Sequence, residues 1–200
     1  MKKKVAILLF GLMVLLGACA PKKIENTPEA KPTPKADAIK SVEVENKVEE
    51  FEEEVYDFPP SDLACKLPDG FEETENPGEY LYKTYPRDLS SINQVISDGT
   101  ANPTTKTKEE FKAEIEAEYE DAYGEVITID VTQYDKMTVD GRPGLWIMYN
   151  FDFRGDHYEM LMIELFNGIE TNYVSFLNAP GSDWMEDFIA CAKSMKFLNR

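Results

Sequence analysis

The chain has 200 residues, with 21 basic and 38 acidic side chains, one histidine and a formal net charge of −17. Such an acid excess repels polyanions, which argues against nucleic-acid binding and against a polybasic patch for anionic lipid. One histidine and three cysteines are too few for a zinc site made of several His or Cys ligands.

The N-terminus carries the strongest signal. Lys2, Lys3 and Lys4 precede an apolar run of 12 residues from Val5 to Leu16, and the small residues Gly17 and Ala18 lead into Cys19. A basic start, a short apolar region and small residues at the cut make a secretory signal peptide. The run falls short of the roughly 20 residues that a membrane-spanning helix needs. The tetrad Leu16-Gly17-Ala18-Cys19 resembles the lipobox of bacterial lipoproteins. That resemblance implies that residues 1–18 are removed, that Cys19 is lipidated and begins the mature chain, and that the lipid holds the protein on the cell membrane, facing outside the cytoplasm. Two acyl chains suffice for stable anchoring. Residues 1–19 carry three lysines and no acids, so the mature chain has 18 basic and 38 acidic residues and a net charge of −20.

Residues 19–55 read as a tether. Pro21, Pro28, Pro32 and Pro34 alternate with Lys, Glu, Ala and Thr, a composition too polar to fold alone and stiffened by its prolines. Val44, Val48, Phe51 and Val55 recur at helical spacing, which predicts a solvated, partly helical end to the tether. Residues 56–200 are long enough for one domain with its own core.

Within that domain, Ala64–Leu67 reads as a short strand stopped by Pro68-Asp69-Gly70, and 79–85 and 91–97 read as further strands. Asp98-Gly99 marks a turn, and 98–107 a loop. Thr107 and Glu110 form a capping box ahead of a helical face of Phe111, Ile115, Tyr119 and Ala122, with Gly124 as the stop. Val126–Thr132 alternates as a strand, and 132–143 reads as a loop.

Three antiparallel strands follow, over 144–153, 157–166 and 169–177. A three-residue loop at Arg154-Gly155-Asp156 would pair Met148 with Met162. A type I′ turn at Asn167-Gly168 would pair Phe166 with Ile169 and Met162 with Tyr173. One face then holds Leu145, Ile147, Tyr149, Phe151, Leu161, Ile163, Leu165, Val174 and Phe176. The other holds Trp146, Met148, Tyr158, Met160, Met162, Phe166, Ile169 and Tyr173. Both faces are apolar, so both need cover. A second helix, capped by Ser182 and striped by Met185, Phe188, Ile189, Ala192 and Met195, supplies it. The expected fold is α+β: a three-layer α/β/α sandwich, an antiparallel sheet with one helix on each face.

The order of these elements, with "LPDGFEE" (67–73), "TKEEFKAEIEAEYEDAYG" (107–124), "VDGRPGLWIMY" (139–149) and "AKSMKF" (192–197), resembles the PsbP-like fold. The family has no shared catalytic motif, and the resemblance implies a binding or assembly module.

The residues offer no catalytic set and no expected metal or cofactor. His157 stands alone, and there is no Gly-x-Ser-x-Gly elbow and no phosphate-binding glycine loop. Asn150, Asp152, Asp156 and Glu159 surround a hairpin tip without EF-hand spacing. Cys65 and Cys191 remain as a pair that an extracytoplasmic compartment would permit to form a disulfide, or that would stay as two buried thiols. Trp146, Met148, Met160, Met162 and Tyr173 would make an apolar groove if uncovered and core if a helix lies on them. The expected function is a non-enzymatic, membrane-anchored module for an envelope protein partner. The alternative is a lipoprotein that binds a small ligand or cation.

Overall fold

Two residues held at positive φ organise the centre of the domain. Arg154 at φ 53° and Gly155 at φ 90° form a two-residue turn of the I′ kind, which needs positive φ at both central positions. The turn closes the pair Phe153↔Asp156 and sets Met148 opposite Leu161. The computed structural model describes residues 56–57, 62–98 and 102–198. The expected signal peptide, Cys19 and the whole of the expected tether (19–55) lie outside the described residues.

Among the described residues, ten strands and two helices follow one another: β1 (Tyr56–Asp57), β2 (Leu63–Cys65), β3 (Phe71–Glu73), β4 (Glu79–Tyr82), β5 (Ser91–Asp98), α1 (Lys108–Tyr123), β6 (Ile129–Val139), β7 (Arg142–Phe153), β8 (Asp156–Phe166), β9 (Glu170–Asn178), α2 (Met185–Lys193) and β10 (Lys196–Phe197). A 3-10 turn, Pro103–Thr105, precedes α1. One sheet has seven strands in the order β3-β4-β5-β9-β8-β7-β6, and a smaller one has the order β1-β2-β10. All pairings are antiparallel.

The register corrects the expected faces. Arg154-Gly155 makes a two-residue turn, not a three-residue loop, so β8 is shifted by one against β7. A one-residue slip turns every side chain to the other face. Leu145, Ile147, Tyr149 and Phe151 therefore share a buried cluster with Tyr158, Met160 and Met162, packed under Phe111, Ile115 and Tyr119 of α1. Leu161, Ile163, Leu165, Val174 and Phe176 form a second cluster with Phe188, Cys191 and Ala192 of α2, and Trp146 and Met148 pack at its margin. Each helix thus serves its own core, but α2 shares its side with the smaller sheet, whose Leu63, Cys65 and Phe197 join that cluster.

The next turn is also displaced. Asn167 Oδ1 accepts hydrogen bonds from the backbone N–H groups of Ile169 and Glu170, both at 2.9 Å. This moves the turn onto Gly168-Ile169, with Gly168 at φ 99°. Phe166 pairs with Thr171, not Ile169, and Glu164 with Tyr173. Ile169 is left at the tip, 77% exposed.

The expected loop at 132–143 is a strand. β6 runs to Val139, past a bulge between Val131 and Gln133, and an Asp140-Gly141 turn at positive φ leads into β7. Thr132, the extra residue, donates its hydroxyl to the Met148 carbonyl at 3.2 Å. α1 begins as expected: Thr107 accepts from the Glu110 N–H, Glu110 accepts from the Thr107 N–H at 2.8 Å, and Gly124 closes the helix in the left-handed region.

The expected cap of α2 at Ser182 is not used. The helix starts after Trp184 without a side-chain cap. Trp184 is fixed from outside the helix instead. Its N–H donates to Asn178 Oδ1 at 3.1 Å, and its indole Nε1 donates to Asp88 Oδ2 at 2.8 Å. Phe71 and Tyr82 pack on its ring, and Phe71 in turn meets Phe188 edge-on.

Gly144 on β7 is buried against β8. A Cβ there would stand 2.2 Å from the Glu164 carbonyl oxygen and 2.8 Å from Leu165 Cδ2. Backbone cannot yield as a flexible side chain can. Gly144→Ala is expected to destabilise the domain by about 2–3 kcal/mol, read as a lowered urea midpoint.

Candidate functional site

Three features bring chemistry-bearing groups together: a buried acid beside α1, a pair of thiols under α2, and a sheet edge closed by side chains.

The acid is Glu164. It is the one charge in the apolar run Met160-Leu161-Met162-Ile163-Glu164-Leu165-Phe166. With the observed register it shares the α1-side face of β8 with Met160 and Met162, and lies opposite Leu145 on β7 and Tyr173 on β9. It is 2% exposed, and its Oε2 has no hydrogen-bond partner. Burial pushes its carboxyl up to about 7. Lys106 opposes that rise, and Glu114 and Glu118 add to it. Glu118, on α1, is also raised to about 7 by burial and by Glu114, again against Lys106. Its Oε2 is enclosed and likewise without a partner. Lys106 forms an ion pair with Glu114, which draws its ammonium toward that helix. Next to this group, the Tyr134 hydroxyl donates to the Lys106 carbonyl at 2.9 Å.

Two raised carboxyls near one cation are a familiar acid/base arrangement. Catalysis, however, needs a carboxyl that substrate reaches, and Glu164 is sealed in the sheet face. Among the described residues no group of three or more His, Cys, Asp or Glu is placed to hold a metal ion. Sequence reasoning missed Glu164. The signal was present as a charge within an apolar strand, but its burial depends on the β7–β8 register.

Cys65 and Cys191 meet. Their Sγ atoms are 3.1 Å apart, both buried, joining β2 to α2 across 126 residues of chain. They are free thiols. The contact with Cys191 and then burial hold the Cys65 thiol far above its ordinary range. Next to the pair, the Lys66 N–H donates to Ser194 Oγ at 2.7 Å.

Trp146, Met148, Met160, Met162 and Tyr173, weighed as a groove if uncovered and as core if a helix lies on them, do not form one surface. Met160 and Met162 are buried under α1, while Trp146 and Met148 lie half-buried on the α2 side. Tyr173 alternates with Val174 and so faces the α1 side. At the Arg154-Gly155 tip, His157 stands opposite Asp152, not Phe153, and the two exposed side chains meet at 2.7 Å. Glu159 is engaged elsewhere, accepting from Asn178 Nδ2 at 2.8 Å.

β6 is the outer strand of the large sheet, and α1 closes part of it. Lys108 Nζ donates to the Val131 carbonyl at 2.6 Å, and Lys112 Nζ to the Ile129 carbonyl at 2.7 Å. The Ile129 N–H donates to Glu116 Oε1 at 3.0 Å. Unpaired edge groups are a template for another strand, and here side chains occupy them.

The acid has a measurable signature. A carboxyl with an ordinary value of 4.5 that rises to about 7 on folding makes the folded state bind the extra proton between those values. Stability therefore falls as pH rises through that window, and the cost is complete above it. Glu164→Gln is expected to raise stability at pH 8 by on the order of 2–3 kcal/mol. It should also make the fall of the urea midpoint between about pH 4.5 and 7 shallower, leaving the slope from Glu118. An unchanged pH profile would show that Glu164 is solvated.

No protein-family model matches this sequence, and no curated protein sequence matches it. Solved structures do. The cyanobacterial PsbP (CyanoP) of Synechocystis, known in solution, superposes with a TM-score of 0.55 at 14% identity, covering 72% of this chain and 92% of that one. LpqN of Mycobacterium tuberculosis, a protein involved in cell-envelope biogenesis, aligns at a TM-score of 0.44 and 12% identity over 67% of this chain and 82% of that one. A Bacteroides thetaiotaomicron protein aligns at 0.43 and 11% identity, over 69% and 46%. Only the first of these likenesses is close enough to define an architecture. Antiparallel sheets, two helices and this superposition together establish that the chain has a PsbP-like α+β fold.

Proposed function

We propose that this protein is an extracytoplasmic lipoprotein, anchored through Cys19, whose domain is a non-enzymatic binding or assembly module for a protein of the cell envelope. The observation that carries the reading is Lys2-Lys3-Lys4, the apolar run and Leu16-Gly17-Ala18-Cys19. That order addresses the chain to export and offers one thiol for lipid. No helix among the described residues is long and apolar enough to cross a membrane, which leaves the lipid as the proposed attachment.

Two features support a module that binds rather than reacts. The raised carboxyls are enclosed, Glu164 in the sheet face and Glu118 on α1, and His157 pairs with the exposed Asp152. The PsbP-like architecture, with a helix serving each core of the large sheet, is the frame of the module. A tether of 36 residues (20–55), at about 3.1 Å each if fully polyproline-like, would extend roughly 110 Å. The domain would then reach well beyond the lipid headgroups. The net charge of −20 on the mature chain favours a partner with a basic face.

Cys19→Ala tests both halves of the reading. The wild-type chain is expected to incorporate a palmitate analogue and to fractionate with membranes, and the variant to lose both. In-cell crosslinking of the lipidated protein is expected to capture a stoichiometric envelope protein that the variant fails to capture. Capture of no protein, together with a thermal shift on adding a small molecule or a divalent cation, would overturn the assembly reading in favour of ligand binding.

A further inference from the structure

We infer that Cys65 and Cys191 are the site of an intramolecular disulfide that ties β2 to α2. The argument begins with placement. Cys65 is 1% and Cys191 2% exposed, and their sulfurs stand 3.1 Å apart. Two hydrogen bonds flank the pair: the Lys66 N–H donates to Ser194 Oγ at 2.7 Å, and the Leu198 N–H to the Asp62 carbonyl at 2.7 Å. β2 has three residues and β10 and β1 two each. Strands that short hold little free energy in their ladders, and a small sheet of this kind needs a further constraint to stay closed.

β2 is also the strand on which the N-terminal part of the chain arrives. β1 pairs Tyr56 with Cys65 and Asp57 with Ala64. A bond at Cys65 therefore joins the point of entry directly to the helix that covers the second core. Closing a loop of 126 residues removes a large share of the unfolded chain's freedom, and such long loops gain the most from a crosslink.

The chemistry balances with a disulfide oxidant: the disulfide form of a thiol oxidoreductase, or a small-molecule disulfide such as oxidised glutathione. The thiolate of one cysteine attacks a sulfur of the oxidant's disulfide, forming a mixed disulfide and releasing one oxidant thiolate. The second cysteine's thiolate then attacks the mixed disulfide at the first cysteine's sulfur. This forms the Cys65 Sγ–Cys191 Sγ bond and expels the second oxidant thiolate. Two protons and two electrons leave the protein, and the oxidant is reduced to its dithiol form. Both sulfurs are buried in the closed domain, so the exchange must occur before β2 and α2 pack. Once closed, the bond is shielded from reductants by the same burial. The compartment in which the bond forms rests on the proposed export, but the chemistry does not.

The test uses the full-length chain carrying Cys19→Ala, in detergent, so that Cys65 and Cys191 are the only thiols. It is denatured with reductant and refolded with or without oxidised glutathione. Maleimide labelling in denaturant then counts free thiols. Oxidative refolding is expected to leave none, and a reductant step before labelling to restore two. The oxidised form is expected to melt about 10–15 °C above the reduced form, and Cys191→Ala added to the same chain to abolish that difference. Two labels after oxidative refolding, or glutathione left on either cysteine, would overturn the inference. So would a bond that gives no rise in melting temperature. Acid-quenched cells expressing the same chain supply the compartment arm. A bond that forms in the refolding tube and not in cells would count against export and leave the pairing intact.

Discussion

The β7–β8 register is the constraint on which the rest of the domain depends. It is set where Arg154 accepts a left-handed backbone, a conformation that costs a residue with a Cβ roughly 1 kcal/mol or more. Local contacts offset that cost. The Arg154 guanidinium lies 4.7 Å from the centre of the Phe153 ring and within 3.6 Å of Glu125. With this turn in place, even-numbered residues of β8 join odd-numbered residues of β7 under α1. A slip of one would send Leu161, Ile163 and Leu165 to the α1 side and turn Glu164 toward the α2-side core. Gly144 fits the same register, because the two strands close to a distance at its position that no larger residue allows.

Much of the architecture is legible in the sequence, because long strands and capped helices carry repeated signals. Thr107 and Glu110 announce α1, and Gly124 ends it. The three long strands are visible as alternating apolar runs. The turns between them are harder to read, since Arg-Gly-Asp and Asn-Gly each permit more than one loop length. At Asn167 the side chain accepts two backbone N–H groups and thereby moves the turn one residue along. β6 is misread as a loop beyond Thr132 for a different reason. A bulge resets its alternation, and an edge strand can carry Asp135, Lys136 and Thr138 exposed to water. β1, β2 and β10 are too short to show any period. They form only because α2 and the β6–β7 turn hold them, the latter through the Phe197 N–H donated to Asp140 Oδ2 at 2.7 Å.

The candidate chemistry divides in the same way. Cys65 and Cys191 are visible as a leftover pair, but only the fold brings them together. Glu164 is visible as a charge but not as a buried one. Its environment follows from the Arg154-Gly155 turn at the start of its hairpin. A charge in a strand is judged by its face, and the face is fixed elsewhere in the chain.

The closing of β6 by α1 has a consequence for how the large sheet ends. A strand bonded to another strand gives up its ladder only when the sheet itself comes apart. The Ile129 and Val131 backbone groups are held by the side chains of Lys108, Lys112 and Glu116. Those three can turn aside by rotamer changes while every strand stays in place. The margin of the sheet is thus fastened from the helix by reversible ties, and the backbone edge can be bared and covered again without any loss of fold.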